Sequence, residues 1–188
     1  SMTTDRNLTA HFAINRHDLT VIADSGGSAT GSGIHDYGTN VLIVASPDTG
    51  YHFENWSGAT VGDENATTTT LNLTADTSVT ANFAIDRHVL TVTAGSGGTA
   101  TGGDTYDYDT NVSISANSYT GYHFANWTGG ALDENASSTT VAMTTDRDVT
   151  ANFEIDRHIL AENADEGGAA IGGGTYDYDA NASIAATA

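Results

Sequence analysis

Carboxylates, imidazoles and aromatic rings recur in this chain at spacings that suggest three kinds of chemistry: cation binding, ion pairing and saccharide stacking. The densest acidic run is Tyr106-Asp107-Tyr108-Asp109-Thr110-Asn111, with Asp104 just before it; Asp177 and Asp179 stand in a second such run, and Asp36 in an earlier, sparser one. Alternating loop carboxylates are what Ca²⁺ selects, and Asp107, Asp109 and Asn111 have the spacing at which an EF-hand loop opens. That loop also needs Gly at its sixth position and Glu at its twelfth, where this chain has Val112 and Ser118, so an EF-hand is excluded. Two readings stay open for Asp104, Asp107, Asp109, Asp177 and Asp179. They could form a Ca²⁺ site built from neighbouring loops, which would stiffen a linker, or a solvated acidic turn. No other cofactor is expected.

The triplets Asn15-Arg16-His17, Asp86-Arg87-His88 and Asp156-Arg157-His158 place three of the five Arg residues at recurring positions. One His per triplet supplies too few ligands for a metal, so surface ion pairs or contacts between modules are the expectation, each worth about 0–1 kcal/mol when exposed. Tyr51, Phe53 and Trp56, repeated as Tyr122, Phe124 and Trp127, could offer ring faces to a sugar. The competing reading is packing, because a small unit with one Trp needs it in the core. Ser, His and Asp all occur, but no G-x-S-x-G elbow or comparable framework positions them for acyl transfer, and acidic turns do not make a glycosidase pair. The chain reads as non-enzymatic. Asn55 and Asn126 lie in N-x-S/T sequons, which in an Asn- and Thr-rich chain are expected to be strand composition and not sites of sugar attachment.

Composition narrows the partners. Twenty-four Asp and Glu against five Arg and no Lys give a formal net charge of −19. Nucleic acid and anionic membrane surfaces would repel such a surface, because phosphate binding needs clustered cations. Without Cys there is no disulfide or thiolate site, without Lys no Lys–Asn isopeptide staple, and without Gln no Thr–Gln ester staple. Hydrophobic residues are 38% of the chain, below the roughly 45–50% usual for a globular protein, so its cores will be thin. No apolar run is long enough to span a bilayer, and no membrane insertion is expected. Ser1-Met2 reads as a cloning remnant ahead of an excised piece.

What must position these residues is a repeat. TAHFAINRH ending at His17 returns as TANFAIDRH ending at His88 and TANFEIDRH ending at His158, 71 and then 70 residues apart. GYHFENW (50–56) returns as GYHFANW (121–127). The expected organisation is a remnant of a preceding repeat over 3–16, complete modules over 17–86 and 88–156, and the truncated start of a further repeat over 158–188. Periodicity within each copy is two. Val41, Ile43 and Ala45, matched by Val112, Ile114 and Ala116, mark one buried strand face, and Leu71, Leu73, Val79, Ala81 and Phe83 mark others. Leu19 and Val21 lie on a strand that Gly26-Gly27 should close as a tight hairpin. Trp56 sits at odd offset from Phe53, so a bulge or bend must intervene if both face one core. No capped amphipathic helix is visible, and the chain reads as all-β or nearly so.

The combination of LTVTAGSGG, TYDYDTNVSISA, GYHFANW and a closing DRDVTANF resembles the divergent internalin B-repeat modules of bacterial cell-surface proteins. The likeness covers nearly the whole chain, twice completely and once in part. It implies small β-grasp-like modules in tandem, arranged as an elongated rod, in an extracellular, secreted or cell-surface setting. The implied role is a spacer or stalk that extends the distal binding region of an adhesin-like protein, with neighbouring repeats as partners. The alternative is a ligand-binding surface module, for carbohydrate or protein of a host or environmental surface, using Tyr51, Trp56, Tyr122 and Trp127 and stabilised by Ca²⁺. The resemblance carries over no catalytic residue. It also leaves open the turn at Asp109 and Asp179, where the first copy has Gly38.

Overall fold

A computed structural model describes residues 3–188; the reading of Ser1-Met2 lies outside the described residues. The chain falls into two compact units that divide between Asp86 and Arg87. Every regular element among the described residues is a strand.

The first unit holds β1 (Arg16–Ala23), β2 (Gly27–Thr30), β3 (Gly33–Asp36), β4 (Thr39–Pro47), β5 (Tyr51–Ser57), β6 (Thr68–Leu73) and β7 (Thr77–Ile85). They make a four-stranded sheet in the order β3-β1-β7-β5 and a three-stranded sheet in the order β2-β4-β6. The central pair β1–β7 is parallel, with Val21 opposite Val79 and Ala23 opposite Ala81, and the other pairs are antiparallel. A parallel central pair with antiparallel flanks is the β-grasp arrangement. Here a second sheet covers it. Alternation supplies both inner faces: Leu19, Val79, Ala81 and Phe83 from one sheet meet Val41, Ile43, Ala45, Leu71 and Leu73 from the other, with Trp56 between them.

In the second unit the pattern recurs in β8 (Arg87–Ala94), β9 (Gly98–Thr101), β10 (Asp104–Asp107), β11 (Asn111–Ser118), β12 (Tyr122–Thr128), β13 (Ser138–Ala142) and β14 (Arg147–Ile155). The sheets are β10-β8-β14-β12 and β13-β11-β9, and the core is built from Leu90, Val112, Ile114, Trp127, Val141, Met143 and Val149 with three alanines. The third copy follows as β15 (Arg157–Leu160), β16 (Ala169–Ile171), β17 (Gly174–Asp177) and β18 (Ala185–Thr187). These form only the two-stranded ladders β15–β17 and β16–β18.

The expected bulge is present in both modules. Register shifts between Phe53 and Asn55, and between Phe124 and Asn126, which turns each Trp onto the face of its Phe. The hairpin expected at Gly26-Gly27 is corrected: β1 and β2 belong to different sheets. Those glycines make room for rings instead. A Cβ on Gly26 would lie 2.3 Å from the Tyr51 ring and one on Gly27 2.5 Å from the Phe83 ring; at Gly97 and Gly98 the corresponding approaches are 2.4 Å to Tyr122 and 2.3 Å to Phe153.

Candidate functional site

Each acidic turn is locally an ion-pair device. Arg16 and Asp36 face one another across the β1–β3 ladder, and Arg16 Nε donates to Asp36 Oδ1 at 2.9 Å. Arg87 Nε stands 3.0 Å from Asp107 Oδ1, and Arg157 Nε donates to Asp177 Oδ1 at 2.9 Å. All three pairs are roughly half exposed, so each contributes at most about 1 kcal/mol and mainly holds register. Asp104 Oδ1 accepts from the Thr105 amide at 2.7 Å. Asp109 and Asp179 adopt positive φ, 63° and 62°, where Gly38 has 78°. The left-handed turn is therefore kept in all three copies, since Asp tolerates that region. The turn is fixed by backbone, with the Gly38 amide donating to Leu73 O and the Asp109 amide to Met143 O. Among the described residues no three carboxylate or imidazole groups gather where they could hold one metal ion. The structure thus does not bring the Ca²⁺ candidates Asp104, Asp107, Asp109, Asp177 and Asp179 together; it turns Asp107 and Asp177 toward arginines.

The aromatic candidates divide between core and seat. Trp56 is 3% exposed and Trp127 is fully buried, and their indole N–H groups donate to Ala66 O and Ala136 O at 3.0 Å. Phe53 and Phe124 tilt against them with ring centres 5.6 and 5.7 Å away. Neither indole has a free face for a saccharide, because both faces lie in the core. Tyr51 and Tyr122 are half-buried on Gly26 and Gly97. Asn55 and Asn126, the sequon residues, accept from Asn82 and Asn152 Nδ2 at 2.7 and 2.8 Å across the sheet.

Sequence reasoning missed the histidine pairs at the ends of the modules. His52 Nδ1 lies 2.8 Å from Asp86 Oδ1, and His123 Nδ1 lies 2.8 Å from Asp156 Oδ1. The backbone reinforces each pair, as the Asp86 amide donates to Gly50 O and the Asp156 amide to Gly121 O, both at 2.8 Å. The signal was available: His and Asp recur together at the repeat period. Beyond the second module, the Tyr178 amide donates to Asp156 O at 2.7 Å, and the Tyr178 ring lies on Gly121, where a Cβ would stand 2.3 Å from it. Asp156 therefore ties β12 and the third copy to one point.

A second set joins each first strand to the turn before the last. Asp76 Oδ1 accepts from the Asp18 amide at 3.0 Å and lies 3.2 Å from His17 Nδ1, and Asp146 likewise accepts from Val89. The Asp18 amide first, and the His17 side chain second, hold the Asp76 carboxyl below its usual range. Asp76 and Asp146 are exposed and serve as fasteners, whereas Asp156 shares His123 with Glu154, whose Oε2 lies 3.9 Å from the imidazole Nε2.

A family model described as the divergent InlB B-repeat domain matches residues 17–87 and again 88–157. No curated protein matches the chain.

Proposed function

The chain belongs to the divergent InlB B-repeat family, and we propose that its modules are non-enzymatic spacers, set between an anchor and a distal binding region in an adhesin-like protein of the bacterial surface. The family's association with InlB-like surface proteins supports the extracellular setting. No helix among the described residues is long and apolar enough to cross a membrane. The observation that carries the reading is equivalence: the two modules assign the same residues to the same tasks. Trp56 and Trp127 bond the same loop position, His52–Asp86 and His123–Asp156 close at the same 2.8 Å, and Arg16–Asp36 and Arg87–Asp107 staple the same strands. A dedicated receptor site would specialise one copy, whereas a spacer gains from keeping them alike.

The decisive comparison is display. Residues 17–156, placed singly or in multiples between a cell-wall anchor and a reporter binding domain, should increase the reporter's access through a surface polymer layer without altering its affinity. A glycan array probed with the same residues should give no saturable signal. Saturable binding abolished in Tyr51→Ala and Tyr122→Ala variants would replace the spacer reading with the ligand-binding one.

A further inference from the structure

In the two complete modules Asn55, Asn65, Asn72, Asn111, Asn126 and Asn135 each open an N-x-S/T sequon, and the fold sorts them into two kinds. Those on strands are spoken for. Asn82 Nδ2 donates to Asn55 Oδ1 at 2.7 Å and to Ser57 Oγ at 2.9 Å, so one neighbour holds both the amide and the hydroxyl of that sequon. Asn152 Nδ2 does the same in the second module, at 2.8 Å to Asn126 Oδ1 and 3.4 Å to Thr128 Oγ1. Asn72 commits its own Nδ2 to Gly38 O and Asn40 Oδ1, and Asn111 stands in the β11–β13 ladder opposite Ala142.

The other two lie in loops, Asn65-Ala66-Thr67 ahead of β6 and Asn135-Ala136-Ser137 ahead of β13. Each loop is pinned from beneath by its carbonyls. Glu64 O accepts from the Trp56 amide at 2.8 Å, Ala66 O from the Trp56 indole N–H at 3.0 Å and Thr67 O from the Ala45 amide at 2.8 Å. Glu134, Ala136 and Ser137 make the same bonds to Trp127 and Ala116. Two residues before each asparagine an aspartate, Asp63 or Asp133, accepts the asparagine's main-chain amide at 3.0 Å and sets an Asx turn. With the backbone fixed, the side chains stay out. Asn65, Thr67, Asn135 and Ser137 are all exposed, and among the described residues no hydrogen bond engages any of their side chains. The stretch from Trp127 to Asp133 is one residue shorter than that from Trp56 to Asp63, yet the sequon lands on the same contacts.

We propose that Asn65 and Asn135 are attachment sites for an N-linked saccharide, one per module, taken from a donor whose sugar C1 is bonded to a lipid phosphate or diphosphate. In the transfer the Nδ2–C1 bond forms and the C1–O bond to the phosphate breaks. The lipid phosphate or diphosphate leaves with the bonding pair, and the nitrogen gives up one of its two protons. A transferase must reach the amide nitrogen and the hydroxyl two residues on together, and only the loop sequons offer both. A transferase that also reads negative charge before the asparagine finds Asp63 or Asp133 in the same place in each copy. The saccharide is bulky and hydrated, and on these loops it displaces no core contact. The proposal rests on the extracellular setting inferred above, because such a transfer acts on chain that has crossed the membrane.

The test incubates the folded 188-residue protein with a bacterial oligosaccharyltransferase and an undecaprenyl-diphosphate-linked oligosaccharide of known mass, and reads intact mass and peptide maps. The expected result is addition of one glycan at Asn65 and one at Asn135, with the peptides carrying Asn55, Asn72 and Asn126 unmodified. Asn65→Gln and Asn135→Gln should each remove one addition. Thr67→Val should also lose the glycan at Asn65, whereas Thr67→Ser should keep it, as Ser137 serves in the second copy. All these positions are exposed and their side chains hold nothing, so the variants leave the modules folded. Three results would overturn the proposal: no addition to the folded protein, addition confined to the strand sequons, or addition at Asn65 that persists in Thr67→Val. Because the reaction is run on purified protein, such a failure removes the attachment sites alone, and the spacer reading stands or falls separately on the display comparison.

Discussion

At the scale of single residues, two glycine positions that look alike in sequence have opposite tolerances. Gly97 has a φ of +106° and carries the Tyr122 ring where a Cβ would stand 2.4 Å from it. Gly97→Ala therefore meets backbone strain and overpacking together, and we expect it to destabilise the second module by about 2–4 kcal/mol in a denaturant titration. Gly38 also has positive φ but nothing near its missing Cβ, and the later copies already carry Asp109 and Asp179 there. Gly38→Asp should change stability by less than about 0.5 kcal/mol, so the first substitution proving harmless, or the second damaging, would contradict this account. Asp76 gives a pH-dependent counterpart. Its folded-state pKa lies below the ordinary 3.8, so the unfolded chain binds its proton first as pH falls. The contribution of Asp76 is present above the ordinary carboxylate range and is lost as pH drops through the lowered value. Asp76→Asn should accordingly flatten the acid limb of the first module's melting curve while moving neutral-pH melting in the destabilising direction; an unchanged acid limb would remove the carboxylate from the explanation.

At the scale of elements, the bulge on β5 and β12 decides whether the module has a core at all. Without the register shift after Phe53 and Phe124, strict alternation would send each Trp to the solvent face. Trp127 is fully buried and is the second module's largest core side chain, so Trp127→Ala should cost about 3–5 kcal/mol. That is a large share of what a module of some seventy residues can muster, since such a unit buries only about 60% of its unfolded surface. Hydrogen exchange at the amides of Leu90 and Ile114 should register the loss. The bulge was legible in the sequence because Phe53 and Trp56 are an odd number of residues apart yet both must be inside. The buried faces of β4, β6, β7 and their copies were legible for the same reason, as alternation with period two marks a face wherever one side is wet. Which strands share a sheet was not. Val21 pairs with Val79 across 58 residues of chain, and no local signal distinguishes that partner from another alternating strand. Gly26-Gly27 reads as a hairpin because paired glycines suit one, while their actual neighbours, Tyr51 and Phe83, come from distant segments. The acidic turns mislead likewise: carboxylate spacing is visible in sequence, but the arginine opposite each carboxylate, twenty residues away, is placed only by the antiparallel ladder.

At the scale of the whole molecule, a net charge of −19 on 188 residues sets how copies of the chain approach one another. Two such bodies repel at long range, and the repulsion falls within a Debye length of about 30 Å at 0.01 M salt and about 3 Å at 1 M. The same repulsion acts within one chain, where carboxylates far outnumber the five arginines that could offset them. Salt screens it, so the melting temperature of the protein should rise between about 0.01 M and about 1 M sodium chloride. The exposed pairs Arg16–Asp36, Arg87–Asp107 and Arg157–Asp177 pull the other way, because salt weakens each of them, but each contributes at most about 1 kcal/mol. A melting temperature that falls as salt rises would show that these pairs, and not the net repulsion, dominate the electrostatics of the fold.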